Sequence, residues 1–288
     1  MYGNDSNLED IKKFLNGKIK ASGFSLENQL AKVLKKNYSV DREVSYYDKD
    51  ELKGRSLDIL AQKFFPEGNS FPQGVKRTVA QLALVIECKN ITGNIWIFSH
   101  DDTVDFGIPD FASMKFSKGD PAINVSPLNS ISTIPLVSGY DEYVYDESKS
   151  NKKTDNLYTG IMTVTKATHY LKESYDDMFM KLKNWIPDKQ GYVLLMTFFQ
   201  PVIVFTGRLF VTKTNEKDEV EFNQVKYVQM KKNYVSKDYH EMGGKIHIVS
   251  YDGIMDYLQI VEPHYRSKED FLITQQKSLL QLVKSDKS

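Results

Sequence analysis

The chain holds one cysteine, Cys88, among 288 residues. A single thiol forbids an intrachain disulfide and excludes a cysteine-based zinc cluster. Net charge is missing too, since 38 Lys and Arg balance 38 Asp and Glu. A histone-like nucleic-acid binder needs a large positive excess, because phosphate neutralisation supplies most of its non-specific affinity. That class is excluded, although a local cationic groove is not. Long apolar runs are absent as well. The most apolar stretch, Tyr192 to Phe205, is interrupted by Thr197, Gln200 and Pro201 and is too short to span a bilayer. The first ten residues are polar and acidic, unlike a signal peptide, and nothing reads as a lipid anchor. The expectation is a cytoplasmic protein with no membrane partner.

Familiar catalytic signatures are also lacking. There is no G-x-x-x-x-G-K-[ST] loop and no G-x-G-x-x-G turn, so nucleotide cradles of those types are excluded. His100, His169, His240, His247 and His264 show no H-E-x-x-H spacing, and no G-x-S-x-G elbow occurs.

What is present is an ordinary globular composition, 41% hydrophobic and 26% charged, in a chain long enough to bury a large core. Periodicity divides it. Leu8 to Lys20 has apolar residues at helical spacing, and Gly23-Phe24-Ser25 ends that pattern. Ser25 is a candidate N-cap for a second helix with Leu26, Leu30, Val33 and Leu34 on one stripe. Tyr38 to Tyr47, Ser56 to Phe64 and Val79 to Glu87 read as strands. Residues 101–150 carry 3 basic against 9 acidic residues, with Pro109, Pro121, Pro127 and Pro135 between them. This stretch reads as an irregular acidic insertion with one or two short strands.

Beyond it, Ile161 to Trp185 is predicted helical. Tyr192 to Phe199, Val202 to Lys213, Glu221 to Met230 and Lys245 to Ser250 are predicted as strands, with Gln200-Pro201 and Gly207 as punctuation. Asp252 to Val261 and Lys268 to Lys284 are predicted as helices separated by Pro263. The mixture is that of an α/β or α+β fold. We read one domain over 1–288: a core at about 25–90, the insertion at about 100–157, and further strands and helices over 158–288.

One constellation carries chemistry. Arg55-Ser56-Leu57-Asp58-Ile59-Leu60-Ala61 places an acid at the start of an apolar strand. Leu82-Ala83-Leu84-Val85-Ile86-Glu87-Cys88-Lys89-Asn90 places an acid and a lysine at the end of another. Glu87 and Lys89 are two apart on a strand and so share a face, while Cys88 points the other way. Charges closing an apolar strand are costly without partners. Two carboxylates supply hard oxygen ligands for Mg²⁺, and a nearby ammonium steadies a water or the charge developing on phosphorus. Lys53 and Arg55, just upstream, are candidates for phosphate contacts. Lys166 and His169, on the predicted later helix, are candidates to face the cleft.

From Ser25 to Asn90 the order is helix, strand, strand with Asp58, strand with Glu87-x-Lys89. This resembles the PD-(D/E)xK nuclease superfamily of restriction-endonuclease-like fold. Glu27, in Phe24-Ser25-Leu26-Glu27-Asn28-Gln29-Leu30, matches the acid that many members carry on the helix before the core strands. The resemblance implies an α/β fold with a central mixed sheet flanked by helices. It implies a metal-dependent nuclease that hydrolyses phosphodiester bonds, a DNA endonuclease of defence or repair, with DNA favoured over RNA as the nucleic-acid partner and a homodimer allowed. Asp58, Glu87 and the Cys88 backbone carbonyl would bind Mg²⁺, with Mn²⁺ as a substitute. Lys89 would position water, and Glu27 would assist. The alternative is a nucleic-acid-binding or protein-interaction module that keeps the fold without catalysis.

Overall fold

The computed structural model describes residues 9–14, 23–65, 75–91, 93–101, 111–116, 131–144, 156–183, 192–234, 236–239 and 242–267. Helix α1 (Gly23–Leu34) precedes β1 (Ser39–Asp48), β2 (Lys53–Phe65) and β3 (Val75–Lys89). Then come β4 (Asn94–His100), β5 (Phe111–Phe116), β6 (Leu136–Val144) and α2 (Asn156–Lys183). The chain continues with β7 (Tyr192–Phe205), β8 (Arg208–Thr214), β9 (Val220–Val225), β10 (Tyr227–Tyr234) and β11 (Met242–Ser250). A 3₁₀ turn at Tyr251–Gly253 leads into α3 (254–267). The expected helix over 268–284 lies outside the described residues, and the one from Leu8 is described only over 9–14.

The fold is α/β, with the eleven strands of the described residues in one mixed sheet. The order is β1-β2-β3-β7-β11-β10-β6-β4-β8-β9, and β5 pairs with β7 off that path. The long strand β7 runs parallel to β3 along its length. On its other side β5 pairs over Leu194–Phe199 and β11 over Val202–Phe205. Two apolar clusters lie on alternating residues of these strands. One joins α1 and α3 to Ile59, Ala61, Leu84, Ile86 and Cys88. The other joins the Leu157, Ile161, Val164, Ala167 and Leu171 stripe of α2 to Leu60, Ala83 and Val85.

The strands around Asp58 and Glu87 fall where alternation predicts them. Elsewhere the structure differs. β7 runs through Gln200-Pro201 rather than breaking there. Pro201 stands between the end of β5 and the start of β11, where no ladder partner needs its missing N–H. The Gln200 amide fills that gap, donating to the Pro201 carbonyl at 2.9 Å and the Lys245 carbonyl at 3.1 Å. The predicted strand from Glu221 to Met230 is two strands. β9 pairs β8 at the sheet edge, whereas β10 lies between β11 and β6.

The helix α3 continues past Pro263 to residue 267. Val261 and Tyr265 are buried in the same cluster on either side of it. Their burial offsets the roughly 3 kcal/mol that an interior proline costs a helix. The acidic stretch is likewise less separate than predicted, because β6 is an interior strand between β10 and β4. The sheet also curls: Trp96 of β4 stacks on Phe205 of β7 with centroids 4.1 Å apart, although β11, β10 and β6 separate those strands in the order. Gly207 permits this approach, since a Cβ there would sit 2.5 Å from the Asn94 carbonyl oxygen.

Candidate active site

The β2–β3 ladder ends at Ile59↔Ile86, one residue before Asp58 and one before Glu87. Past that point the Asp58 carboxylate stands in for a ladder carbonyl, with Oδ2 accepting the Cys88 N–H at 2.6 Å. The Lys89 carbonyl accepts the Thr206 N–H at 3.2 Å on the β7 side. Carbonyls of successive strand residues face opposite sides, so the Cys88 carbonyl faces Asp58. Asp58, Glu87 and the Cys88 carbonyl thus surround the point where two strands part.

A local distortion aims Asp58. Leu57 packs in the α2-side cluster and Ile59 in the α1-side cluster, although residues two apart on a strand share a face. On β1, Val40 and Val44 split between the clusters in the same way. Arg42↔Ile59 and Val44↔Leu57 are paired, leaving Glu43 opposite Asp58 as the skipped step. Glu43 has φ 52°, a conformation that non-glycine residues seldom adopt. The step turns the Asp58 carboxylate toward the β3 backbone.

Glu87 and Lys89 continue the β3 face that packs toward α2, and Lys89 Nζ donates to Glu87 Oε1 at 2.8 Å. The Lys89 stem lies against Gly160 of α2, where a Cβ would come within 3.3 Å of Lys89 Cε. Cys88 is buried on the opposite face with Leu26 and Leu30 of α1, as alternation predicts. Burial pushes its thiol pKa well up, so it is no nucleophile. Cys88→Ala is expected to cost about 1 kcal/mol of stability and to leave metal uptake and cleavage intact. A well-folded but inactive Cys88→Ala protein would contradict this.

Three carboxyl groups share the site's field. Burial, with the Asp58 charge behind it, raises Glu87 to about 7, against the pull of Lys89. Asp58 is raised chiefly by burial, with the Cys88 N–H and Lys89 opposing. Glu27 is raised by burial and then by the Asp58 charge, while Arg42 opposes. Glu27 lies beyond the first turn of α1, which holds no acid, so the helix dipole does not account for it. Its Oε2 pairs with Arg42 at 3.5 Å.

The geometry fits a cation held by few side chains. Glu87 Oε2 is buried and has no hydrogen-bond partner among the described residues. The Asp58 charge raises the proton affinity of both Glu87 and Glu27, and Glu27 adds to that of Glu87, against the cations Lys89 and Arg42. Among the described residues no three His, Cys, Asp or Glu side chains converge as a ready-made metal cage. Mg²⁺ does not require one, since it keeps several waters and takes one or two carboxylates.

The remaining candidates are engaged elsewhere. Lys53 pairs with Glu51, and Arg55 pairs with Glu51 and, at 3.2 Å, with Asp48. Lys166 is buried and bonds Asp48 at 2.9 and 3.0 Å and Asp50 at 2.9 Å. Burial works against its ammonium, but these two carboxylates outweigh it and hold the pKa above the ordinary value. It joins Tyr46, Arg55 and Tyr234 around a cavity of about 260 Å³. His169 lies 3.4 Å from Glu173. None of these four is linked to Asp58 by a hydrogen bond or ion pair described here. Sequence reasoning missed Arg42, Gly160 and Thr206. Only the two-residue strand period brought Arg42 within reach, and nothing local marked the other two.

Comparison with protein-family models, curated proteins and solved structures finds no match. Among the described residues no helix is long and apolar enough to cross a membrane.

Proposed function

We propose that the chain is a metal-dependent nuclease that hydrolyses phosphodiester bonds, a DNA endonuclease, built on a helix-flanked restriction-endonuclease-like core. The observation that carries the reading is the meeting of Asp58 with Glu87 and Lys89 where β2 and β3 part, with Glu87 Oε2 buried and without a hydrogen-bond partner among the described residues. Asp58, Glu87 and the Cys88 carbonyl would hold Mg²⁺ or Mn²⁺. Such an ion, when bound, polarises a phosphoryl oxygen and acidifies water.

The chain's own groups do the rest. Glu87, which burial raises to about 7, would give up its proton to become a ligand, and the Asp58 carboxylate would supply a second oxygen. Lys89, anchored on Glu87 and confined by α2 at Gly160, holds a water near the scissile phosphorus and donates to the charge developing on its oxygens. Glu27, steadied by Arg42, orients a second water. Incubating plasmid and oligonucleotide substrates with Mg²⁺ or Mn²⁺, and in parallel with EDTA, tests the reading. Metal-dependent cutting that EDTA abolishes is expected. Nucleic-acid binding without metal uptake or cutting would replace it with the non-catalytic module.

Glu27→Gln separates a site role from a structural one. Turnover is expected to fall about ten-fold, at the low end of what positioned proton-handling groups contribute. The melting temperature should hold or rise, because the variant removes a charge whose pKa burial already raises. Unchanged turnover removes Glu27 from the site.

A further inference from the structure

A second cleft adjoins the candidate active site. It has a volume of about 480 Å³ and is lined by Thr206, Arg208, Gln224, Lys226, Ser250 and Asp252, among others. It opens beyond the ends of the parallel strands β7 and β11, in the size range of small-ligand sites. Its wall is wired to the E-x-K strand. The Thr206 N–H donates to the Lys89 carbonyl at 3.2 Å, and Thr206 Oγ1 accepts the Ile91 N–H at 2.9 Å and donates to Asn90 Oδ1 at 3.1 Å. The register Lys89↔Phe205 sets the cleft one residue past the level of Lys89.

We propose that this cleft holds a backbone phosphate of the bound DNA strand, flanking the bond that is cut. The proposal rests on the nuclease reading and names where the strand runs. Arg208 and Lys226 bring two cations to the cleft, with the Gln224 amide beside them, while the Thr206 and Ser250 hydroxyls already donate to Asn90 Oδ1 and the Lys226 carbonyl. Guanidinium and ammonium groups beside polar donors are what a phosphodiester requires. Lys226 pairs with Asp256 at 2.7 Å, but both side chains are about half exposed, at 53% and 51%. An exposed pair is weak, so a phosphate competes for the lysine. Among the described residues Asp252 is the one acid lining the cleft, and it opposes an anion there. The two signs therefore predict opposite effects of substitution.

Fluorescence anisotropy with a labelled DNA duplex tests this, in EDTA and over about 50 to 200 mM salt. Arg208→Ala and Lys226→Ala are each expected to weaken binding on the order of ten-fold and to lower the salt slope by about 1. Asp252→Asn is expected to tighten it several-fold. All three should keep the wild-type melting temperature and Mn²⁺ affinity. Unchanged affinity in both cation variants overturns the proposal. So does weaker binding by Asp252→Asn, which would assign the acid to a base amino group. If the wild-type protein neither binds nor cuts the duplex, the nuclease reading falls and the cleft assignment with it. If it cuts and the variants bind as it does, the cleft assignment alone falls.

Discussion

Glu87→Gln is expected to abolish cleavage while making the metal-free protein more stable. The loss should be on the order of a thousand-fold or more, because a bound metal supplies several kcal/mol of transition-state charge stabilisation. The stability gain follows from the raised acid. Its pKa goes from 4.5 to about 7 on folding, so above 7 the folded chain must carry a buried charge that the unfolded chain carries in water. At about 1.4 kcal/mol per unit the cost is on the order of 3 kcal/mol. The sign is that of any acid raised on folding. The favourable state is fully present below 4.5, and stability declines as pH rises from there through about 7.

In EDTA at pH 8 the variant should therefore melt several degrees above the wild type. The gap should narrow on acidification and close below 4.5. Mn²⁺ should reverse the order at pH 8, since only the wild type gains from binding. Mn²⁺ affinity of the wild type should rise with pH through about 7, because the ligand must lose its proton. Melting curves at several pH values, with and without Mn²⁺, check all of this. Equal stability of the two proteins at every pH would show that Glu87 is not the strained acid the site requires.

Lys89→Ala is expected to separate chemistry from metal binding. Lys89 supplies the ammonium against Glu87 but no ligand atom to a cation. Calorimetric Mn²⁺ affinity should stay within a few-fold or tighten, because a positive neighbour has gone. Cleavage should fall about 10²- to 10⁴-fold, the range for a group that moves a proton or stabilises developing charge. Lys89→Arg should not rescue it, since a guanidinium is bulkier where the stem already meets Gly160 and presents its donors in a different geometry. A loss of metal affinity equal to the loss of rate would instead make Lys89 a structural partner of Glu87.

The strands that carry the site were legible because alternation is local. Ser56 to Phe64 and Val79 to Glu87 lie within β2 and β3, and the period of two by itself put Cys88 opposite Glu87 and Lys89. Helix α1, with Leu26, Leu30 and Leu34 on one stripe, was legible from its 3.6-residue period. Asp58 and Glu87 could be recognised as candidates because charge at the end of an apolar strand calls for a partner.

What tertiary structure decided was non-local. Pairing joins residues far apart in the chain, such as Asp58 with the Cys88 N–H and Lys166 with Asp48. No periodicity encodes those partners, so the sequence offered Lys166 as a cleft candidate without showing that it is also the buried hub of two carboxylates at its cavity. Pro201 read as a strand break because proline removes a donor, and only the gap between β5 and β11 shows that no donor was needed. The left-handed turn of Glu43 left no mark in a sequence of ordinary residues, although it swings Asp58 toward β3. Local patterning determined which residues face together. Sheet order and backbone pairing, set by contacts across the chain, decided which charged groups meet.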